Sequence, residues 1–245
     1  MSYFYTKKKN ISFIIPCYNC ENYIQKNILK LYKKLKILKI KFEIILIDDF
    51  SSDKTYLRLN ELKNKLPKLE VLKNSKNVGK SFSLIRGVKT CRYNYVILVD
   101  CDLPYYKSIP NIIKNLRKND MVIINRRLPG SRFEKNKLNF YQLSRSYLGI
   151  SINNFLRAWF KMSIQDTQAG LKGFIKPKNF SRIKFISKRF FFDLELILLF
   201  ILDKKKILSL KTTYNIAINS NISFLNLKKN FETFFELIKI CIYYK

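Results

Sequence analysis

The sequence contains no histidine. That excludes Ser-His-Asp and Cys-His nucleophile systems, and any zinc or iron site built on imidazole. Proton transfer would fall to carboxylates, lysine, tyrosine or cysteine. Acids are scarce as well: 17 Asp+Glu stand against 48 Lys+Arg in 245 residues, a formal net charge of +31. Glycine and proline number only six each, too few for a loop-rich all-β protein. Neither Gly-x-Gly-x-x-Gly nor Gly-x-x-x-x-Gly-Lys-Ser/Thr occurs, which disfavours a dinucleotide dehydrogenase and a P-loop NTPase. Long apolar runs are missing too. The best candidate, Leu194–Leu202, holds Glu195 and stops at Asp203 and three lysines, so no transmembrane helix is expected. The apolar run Ile11–Ile15 after the basic start is too short for a signal peptide. Five cysteines (Cys17, Cys20, Cys91, Cys101, Cys241) are odd in number and scattered, so they form no disulfide framework and suit a reducing cytoplasm. Cys17 and Cys20 have CxxC spacing but no second pair to complete a metal site.

What is present is a globular composition, 47% hydrophobic and 15% aromatic. The positive charge implies anionic partners: nucleic acid, an anionic membrane face or phosphorylated substrates. Part of it is coding bias, since only 11 of the cations are Arg in a chain rich in Lys, Ile and Asn.

The pattern along the first half alternates. Apolar runs at Ile11–Ile15, Phe42–Ile47, Leu69–Leu72, Tyr95–Val99 and Met121–Ile124 read as strands. Helical spacing is read over Glu21–Leu38, Asp53–Leu66, Gly79–Lys89 and Ile109–Arg117. This predicts an α/β fold with a mainly parallel central sheet and function at the carboxyl ends of its strands. Asn125–Asn139 is irregular and basic. Helices are expected over Leu138–Phe160, Phe191–Leu202 and Leu227–Ile242, and a strand at Ile207–Thr212. No repeat or linker interrupts the chain, so one domain is expected over 1–245.

Carboxylates gather where strands end. Ile44–Ile47 runs into Asp48 and Asp49, and Tyr95–Val99 runs into Asp100-Cys101-Asp102. In extended chain, residues i and i+2 point the same way, so Asp100 and Asp102 can face one divalent cation. Carboxylates suit Mg²⁺ or Mn²⁺, with substrate phosphates completing the shell. The plainer alternative makes these acids helix caps after strands.

Four segments in order resemble the family 2 glycosyltransferases. Ile14-Ile-Pro-Cys-Tyr-Asn19 is similar to the family's opening strand and nucleotide loop, and Glu43–Thr55 to its second strand and acidic turn. Asn77-Val-Gly-Lys-Ser-Phe-Ser-Leu-Ile-Arg-Gly87 resembles its Asn-x-Gly-Lys-Gly-x-Ala-x-Arg-x-Gly segment, with Ser81 and Ser83 replacing Gly and Ala. Asp100-Cys-Asp-Leu103 matches the metal-binding Asp-x-Asp. In the second half, Asp166–Phe174, Phe192–Leu196 and Asn125–Ser131 resemble segments of dolichyl-phosphate β-glucosyltransferases and their bacterial polyprenyl-phosphate relatives. There Ala169 and Leu171 replace Cys and Phe. Those relatives often carry a membrane-spanning helix, for which this sequence shows no run.

The resemblance implies a GT-A-type, Rossmann-like fold, with residues 11–125 as nucleotide-sugar half, 126–222 as acceptor half and 223–245 as an amphipathic helix. It implies an inverting, metal-dependent transfer of a hexose, glucose from UDP-glucose, to polyprenyl phosphate at the cytoplasmic membrane face. The alternative acceptor is a lipopolysaccharide, capsule or other glycan. Pro16, Tyr18, Asn19 and Glu21 would shape the base pocket. Asp48 would accept from uracil or ribose, Asp100 would meet ribose or metal, and Asp102 the metal. Lys80 and Arg86 are donor candidates, with a solvated role for Lys80 as rival. Asp166 is the carboxylate expected at the acceptor, as base or as a group that positions the nucleophile. A phosphate-monoester acceptor, with its second pKa near 6, needs cations more than a base. Arg126, Arg127, Arg132 and Arg145 are candidates for that, with Gln168 and Lys172 beside them, the rival being a merely basic loop. Phe231, Phe234, Phe235, Ile238 and Ile242 form a helical stripe that suits either a membrane surface or the core. Tyr3, Phe4 and Tyr5 would add a weak anchor. A nucleic-acid-binding protein and a nucleotidyltransferase are the rivals from other classes. The first does not account for two acidic strand ends, so no nucleic-acid partner is expected.

Overall fold

The computed structural model describes residues 10–133, 140–214 and 227–245. The first half alternates as β1 (Asn10–Cys17), α1 (Ile24–Ile37), β2 (Lys41–Asp48), α2 (Thr55–Lys65), β3 (Leu69–Lys73), α3 (Lys80–Thr90), β4 (Tyr95–Leu98), α4 (Ile109–Asn115) and β5 (Met121–Ile124). There follow β6 (Arg132–Phe133), α5 (Phe140–Trp159), β7 (Lys172–Ile175), α6 (Phe192–Leu202), β8 (Ile207–Leu210), β9 (Thr213–Tyr214) and α7 (Leu227–Tyr243).

Seven strands form one sheet in the order β3-β2-β1-β4-β7-β5-β8. All neighbours are parallel except β7, which runs antiparallel to both β4 and β5. The two halves read from the sequence therefore interleave, because β7 comes from the second and inserts inside the first. Both sheet faces are covered, so Ile44–Ile47 of β2 is apolar at every position, as a strand buried on both sides requires. On one face α1 presents Ile24, Ile28, Leu31 and Leu35, and α2 and α4 add Leu59, Leu62, Ile109 and Ile112. On the other face α3 and α6 contribute Leu84, Val88, Phe192, Leu196 and Phe200. A third cluster joins α5, α6 and α7 through Leu156, Leu194, Leu198, Leu237 and Ile240.

Helix α3 approaches the sheet closely at Gly87. A Cβ there would lie 2.4 Å from Ile14 Cγ2 and 2.8 Å from Ile47 Cδ1. Gly87→Ala is expected to lower stability by about 1–3 kcal/mol through overpacking. A reduced urea midpoint with an unchanged slope would register it.

The strand order decides where a ligand can bind. The chain steps from β1 to β2 to β3 in one direction, then returns to place β4 on the other side of β1. Between β1 and β4 lies the switch point at which open α/β sheets form a crevice beyond their strand ends. The segments leaving those two strands are Tyr18–Glu21 and Asp100–Asp102.

Candidate active site

At the carboxyl edge of the sheet Cys17 pairs with Asp48, so the loop after β1 lies between Asp48 on one side and Asp100 on the other. Two strand spacings put those acids about 10 Å apart, room for a nucleoside. Asp48 is buried, and its Oδ1 has no hydrogen-bond partner among the described residues. Burial pushes its carboxyl up, against hydrogen bonds from Ser51. An orphaned buried acceptor at the crevice floor is suited to a ligand N–H or hydroxyl. Pro16 and Tyr18 border it, Tyr18 exposed and Pro16 half-buried.

Asn19 and Glu21 act by fastening loops. The Asn19 Oδ1 accepts from Ser52 N–H at 2.9 Å, and its own N–H donates to Ser51 Oγ at 3.0 Å. Glu21 Oε2 accepts from Lys54 N–H at 2.8 Å, while Glu21 N–H donates to Asp53. These bonds explain why α1 starts at Ile24 rather than at Glu21. Asp49, given no role from the sequence, does the same on the other side. It accepts from Asn74 Nδ2, Val78 N–H and Gly79 N–H, and so holds the loop that leads into α3.

Lys80 opens α3, and its Nζ stands 2.6 Å from Asp100 Oδ1. The rival reading of Lys80 as a solvated surface cation does not hold. Burial opposes its charge, yet Asp100, Asp193 and Asp102 outweigh that and raise its pKa. Arg86 needs a larger correction. Its guanidinium donates to Lys73 O at 2.7 Å and Asn74 Oδ1 at 2.6 Å, so it braces the end of β3.

Asp100 also rests against Gly170, where a Cβ would fall 1.7 Å from Asp100 Oδ2. Only glycine permits this approach, and it sets the Asp166–Gly170 loop beside the acid pair. Asp100 and Asp102 supply hard oxygen ligands of the kind Mg²⁺ and Mn²⁺ take, and leave most of a coordination shell for phosphates. Among the described residues no group of three or more Cys, Asp or Glu side chains is placed to hold a metal unaided. The donor set fits a divalent cation that arrives with a phosphate ligand. Cys17 and Cys20 belong to the core.

Beyond β5 the chain makes the second half of the site. Asp166 is 0% exposed and receives a fork from Arg126: Nε to Oδ2 at 2.7 Å and Nη2 to Oδ1 at 2.8 Å. The Arg126 N–H adds a third bond at 3.0 Å. Burial alone would raise the Asp166 pKa, but the Arg126 hydrogen bonds and charge prevail and hold it down at about 2. A carboxylate held so acidic and so fully bonded takes up a proton poorly at neutral pH, so of the two roles expected for Asp166 the geometry suits positioning. Its geometry is that of a group that positions Arg126. Burial, more than any charge, raises the Tyr105 pKa, with Arg126 opposing the shift and Asp166, Asp100 and Asp102 adding to it.

The remaining arginines divide. Arg127 Nη2 donates to the Gly149 carbonyl at 2.8 Å and ties this loop to α5. Arg132 is exposed in β6. Arg145 lies in α5, and its side chain falls outside the described residues, as do Tyr3, Phe4 and Tyr5. Gln168 is half-buried, with an Nε2 that lacks a partner among the described residues. Lys172 is not at the site surface. It is 0% exposed, bonded to the Ala169 carbonyl and paired with Asp193 at 2.8 Å. Glu195, the one acid inside the apolar run Leu194–Leu202, is buried with no cation beside it among the described residues. It accepts instead from the Ile186 and Ser187 N–H groups and the Tyr244 hydroxyl.

The model for glycosyl transferase family 2 matches residues 12–188. The chain belongs to that family. A dolichol-phosphate mannosyltransferase of Pyrococcus furiosus is 30% identical over 51% of this chain and 35% of its own length. A dolichyl-phosphate beta-glucosyltransferase of Trichomonas vaginalis is 25% identical over 96% of this chain and 74% of its own. The chain thus spans about a third of the first of these relatives and three quarters of the second. Among solved structures, the glucosyl-3-phosphoglycerate synthase of Mycobacterium tuberculosis, in complex with Mn²⁺, UDP and glucosyl-3-phosphoglycerate, has a TM-score of 0.66 at 15% identity. The match covers 95% of this chain and 80% of that one. The family 2 chain described here has the GT-A fold these likenesses define, with its acid pair at the switch-point crevice.

Proposed function

We propose that this family 2 protein is an inverting, metal-dependent glycosyltransferase that moves glucose from UDP-glucose to a polyprenyl phosphate at the cytoplasmic membrane face. The observation that carries this reading is the pairing, at one sheet edge, of an acid pair with a buried Arg126–Asp166 fork across Gly170. The first suits a metal-bound diphosphate, the second an anionic acceptor.

Asp48 takes a hydrogen bond from uracil or ribose, and Pro16 and Tyr18 flank the base. Asp100 and Asp102 would hold Mg²⁺ or Mn²⁺, which when bound would supply positive charge for the leaving UDP. Arg126, fixed by Asp166, turns its remaining donors to the acceptor phosphate, with Arg132 and Gln168 alongside. A phosphate oxygen attacks the sugar C1 as the bond from C1 to the UDP oxygen breaks, and the configuration inverts. The acceptor is already largely dianionic at neutral pH, so no proton need be removed. The saturated state of Asp166 agrees with a reaction that needs positioning rather than a base.

The acceptor's insolubility requires a meeting at the bilayer, and among the described residues no helix is long and apolar enough to cross one. Helix α7 supports a surface contact instead. Leu237, Ile240 and Cys241 pack inward, whereas the stripe containing Phe231 (66% exposed), Phe234 (58%), Phe235, Ile238 and Ile242 faces out. Helix α5 adds exposed Phe155 and Trp159, and Trp159 Nε1 donates to the Cys241 carbonyl at 3.1 Å, which locks the two helices together. Arg127 joins α5 at Gly149 to the acceptor loop, which links a helix of this face to the site. An excess of lysine attracts anionic headgroups by about 1 kcal/mol per well-placed residue.

Phe234→Glu with Phe235→Glu should weaken binding to anionic vesicles by more than about tenfold, since two apolar contacts become charged. Melting temperature and donor hydrolysis should stay near wild type. Sedimentation with vesicles measures it, and undiminished binding would remove α7 as the contact. The proposal as a whole is tested by a donor screen of nucleotide sugars with Mn²⁺ or Mg²⁺, scoring transfer to short polyprenyl phosphates. Transfer to glycans alone would hand the acceptor to the glycan rival.

A further inference from the structure

Lys80 and Asp100 meet at 2.6 Å in a half-buried pair whose side chains are 30% and 25% exposed. The same carboxylate is hemmed in on its other oxygen by the Gly170 backbone. Its freedom to turn is therefore small, and an ammonium occupies the oxygen that remains open. A divalent cation bound there would stand a few ångströms from a positive charge, a repulsion that a partly buried site screens poorly. Metal entry thus requires Lys80 to leave, and leaving alone would strand its charge. Asp193, the next acid near it, is already paired with Lys172 at 2.8 Å. A diphosphate arriving with the metal supplies the negative charge that Lys80 would lose.

We propose that Lys80 is a built-in counter-cation of the acid pair, displaced onto the donor diphosphate when metal and nucleotide bind together. Without metal, Lys80 offsets one of the two negative charges of the acid pair. Metal alone binds weakly, because it must expel an ammonium and finds only two carboxylates. Nucleotide and metal raise each other's affinity by the same factor, as linkage demands. This rests on the donor reading above and adds the order in which charges are exchanged.

The test is Mn²⁺ binding to the full chain, read from the electron paramagnetic resonance of free Mn²⁺, with and without UDP. In the wild type UDP should tighten Mn²⁺ at least about tenfold, and Mn²⁺ should tighten UDP equally. Lys80→Met keeps the side-chain stem and removes the charge. It should bind Mn²⁺ about tenfold tighter than wild type without nucleotide, and show a smaller enhancement by UDP than wild type, the remainder coming from phosphate ligation. A folded Lys80→Met that binds nucleotide-free Mn²⁺ no tighter than wild type overturns the counter-cation role, while intact Mn²⁺–UDP binding leaves the donor reading standing. Should that variant not fold, wild-type Mn²⁺ affinity that is indifferent to UDP overturns the role by itself. A folded wild type that binds no Mn²⁺ with or without UDP overturns both.

Discussion

Asp102→Asn is expected to cut sugar transfer by on the order of a thousandfold while the protein folds as before, several kcal/mol of lost charge stabilisation in the transition state. The exchange is isosteric and lies in the half-buried turn after β4, so the sheet edge stays intact. Asp100 would make a less clean target. It is bonded to Lys80 and packed on Gly170, so changing it also disturbs α3 and the loop before β7. Turnover of UDP-glucose with Mn²⁺, beside a thermal melt, measures both halves of the expectation. Full activity in Asp102→Asn, or wild-type activity that survives a chelator, would defeat the metal-dependent mechanism.

The donor side was legible in the sequence because it uses short-range signals. Apolar runs that end in acids mark parallel strands and their functional edge, and Ile44–Asp48 and Tyr95–Asp102 are built that way. What stayed hidden depends on pairings between distant residues. β7 starts with a lysine, which reads as surface. Its lysine can lie inside the sheet because Asp193, on another element, and the Ala169 carbonyl take the Lys172 ammonium. Arg86 read as a donor contact, yet it bonds a backbone carbonyl and an amide side chain, which no sequence spacing reveals. The α7 stripe could be recognised but not oriented. Its large aromatic residues suggest a core face as readily as a lipid face, and the modest set Leu237, Ile240 and Cys241 forms the inward side. Asp166 was found by family resemblance, but its state was not, since its acidity comes from Arg126 forty residues earlier in the chain.

That state makes the second large effect. Asp166→Asn should lower both stability and turnover, and leave UDP-sugar affinity nearly unchanged. Removing the carboxylate charge from a buried fork strands the Arg126 guanidinium, at a cost of about 3 kcal/mol. An amide oxygen can accept at most two of the three bonds that Asp166 now takes, and its NH2 then faces a guanidinium donor, so Arg126 loses the fork that fixes its orientation and the acceptor phosphate its anchor. A base lost from the reaction would leave stability largely intact and change the pH–rate profile; a lost anchor should lower the melting temperature and raise the acceptor KM. The pH dependence of stability adds an independent check. The folded pKa of Asp166 is about 2, below its ordinary 3.8, so the stability it contributes is present above the higher value and lost as pH falls through the lower. The shift is worth about 2 kcal/mol in full, with about 1 kcal/mol of it gone by pH 3. Urea unfolding of wild type and Asp166→Asn should therefore differ most at pH 5 and above and converge on acidification. A constant difference between pH 5 and pH 3, or calorimetry in which Asp166→Asn loses UDP-glucose affinity as strongly as turnover, would move Asp166 out of the acceptor half of the site.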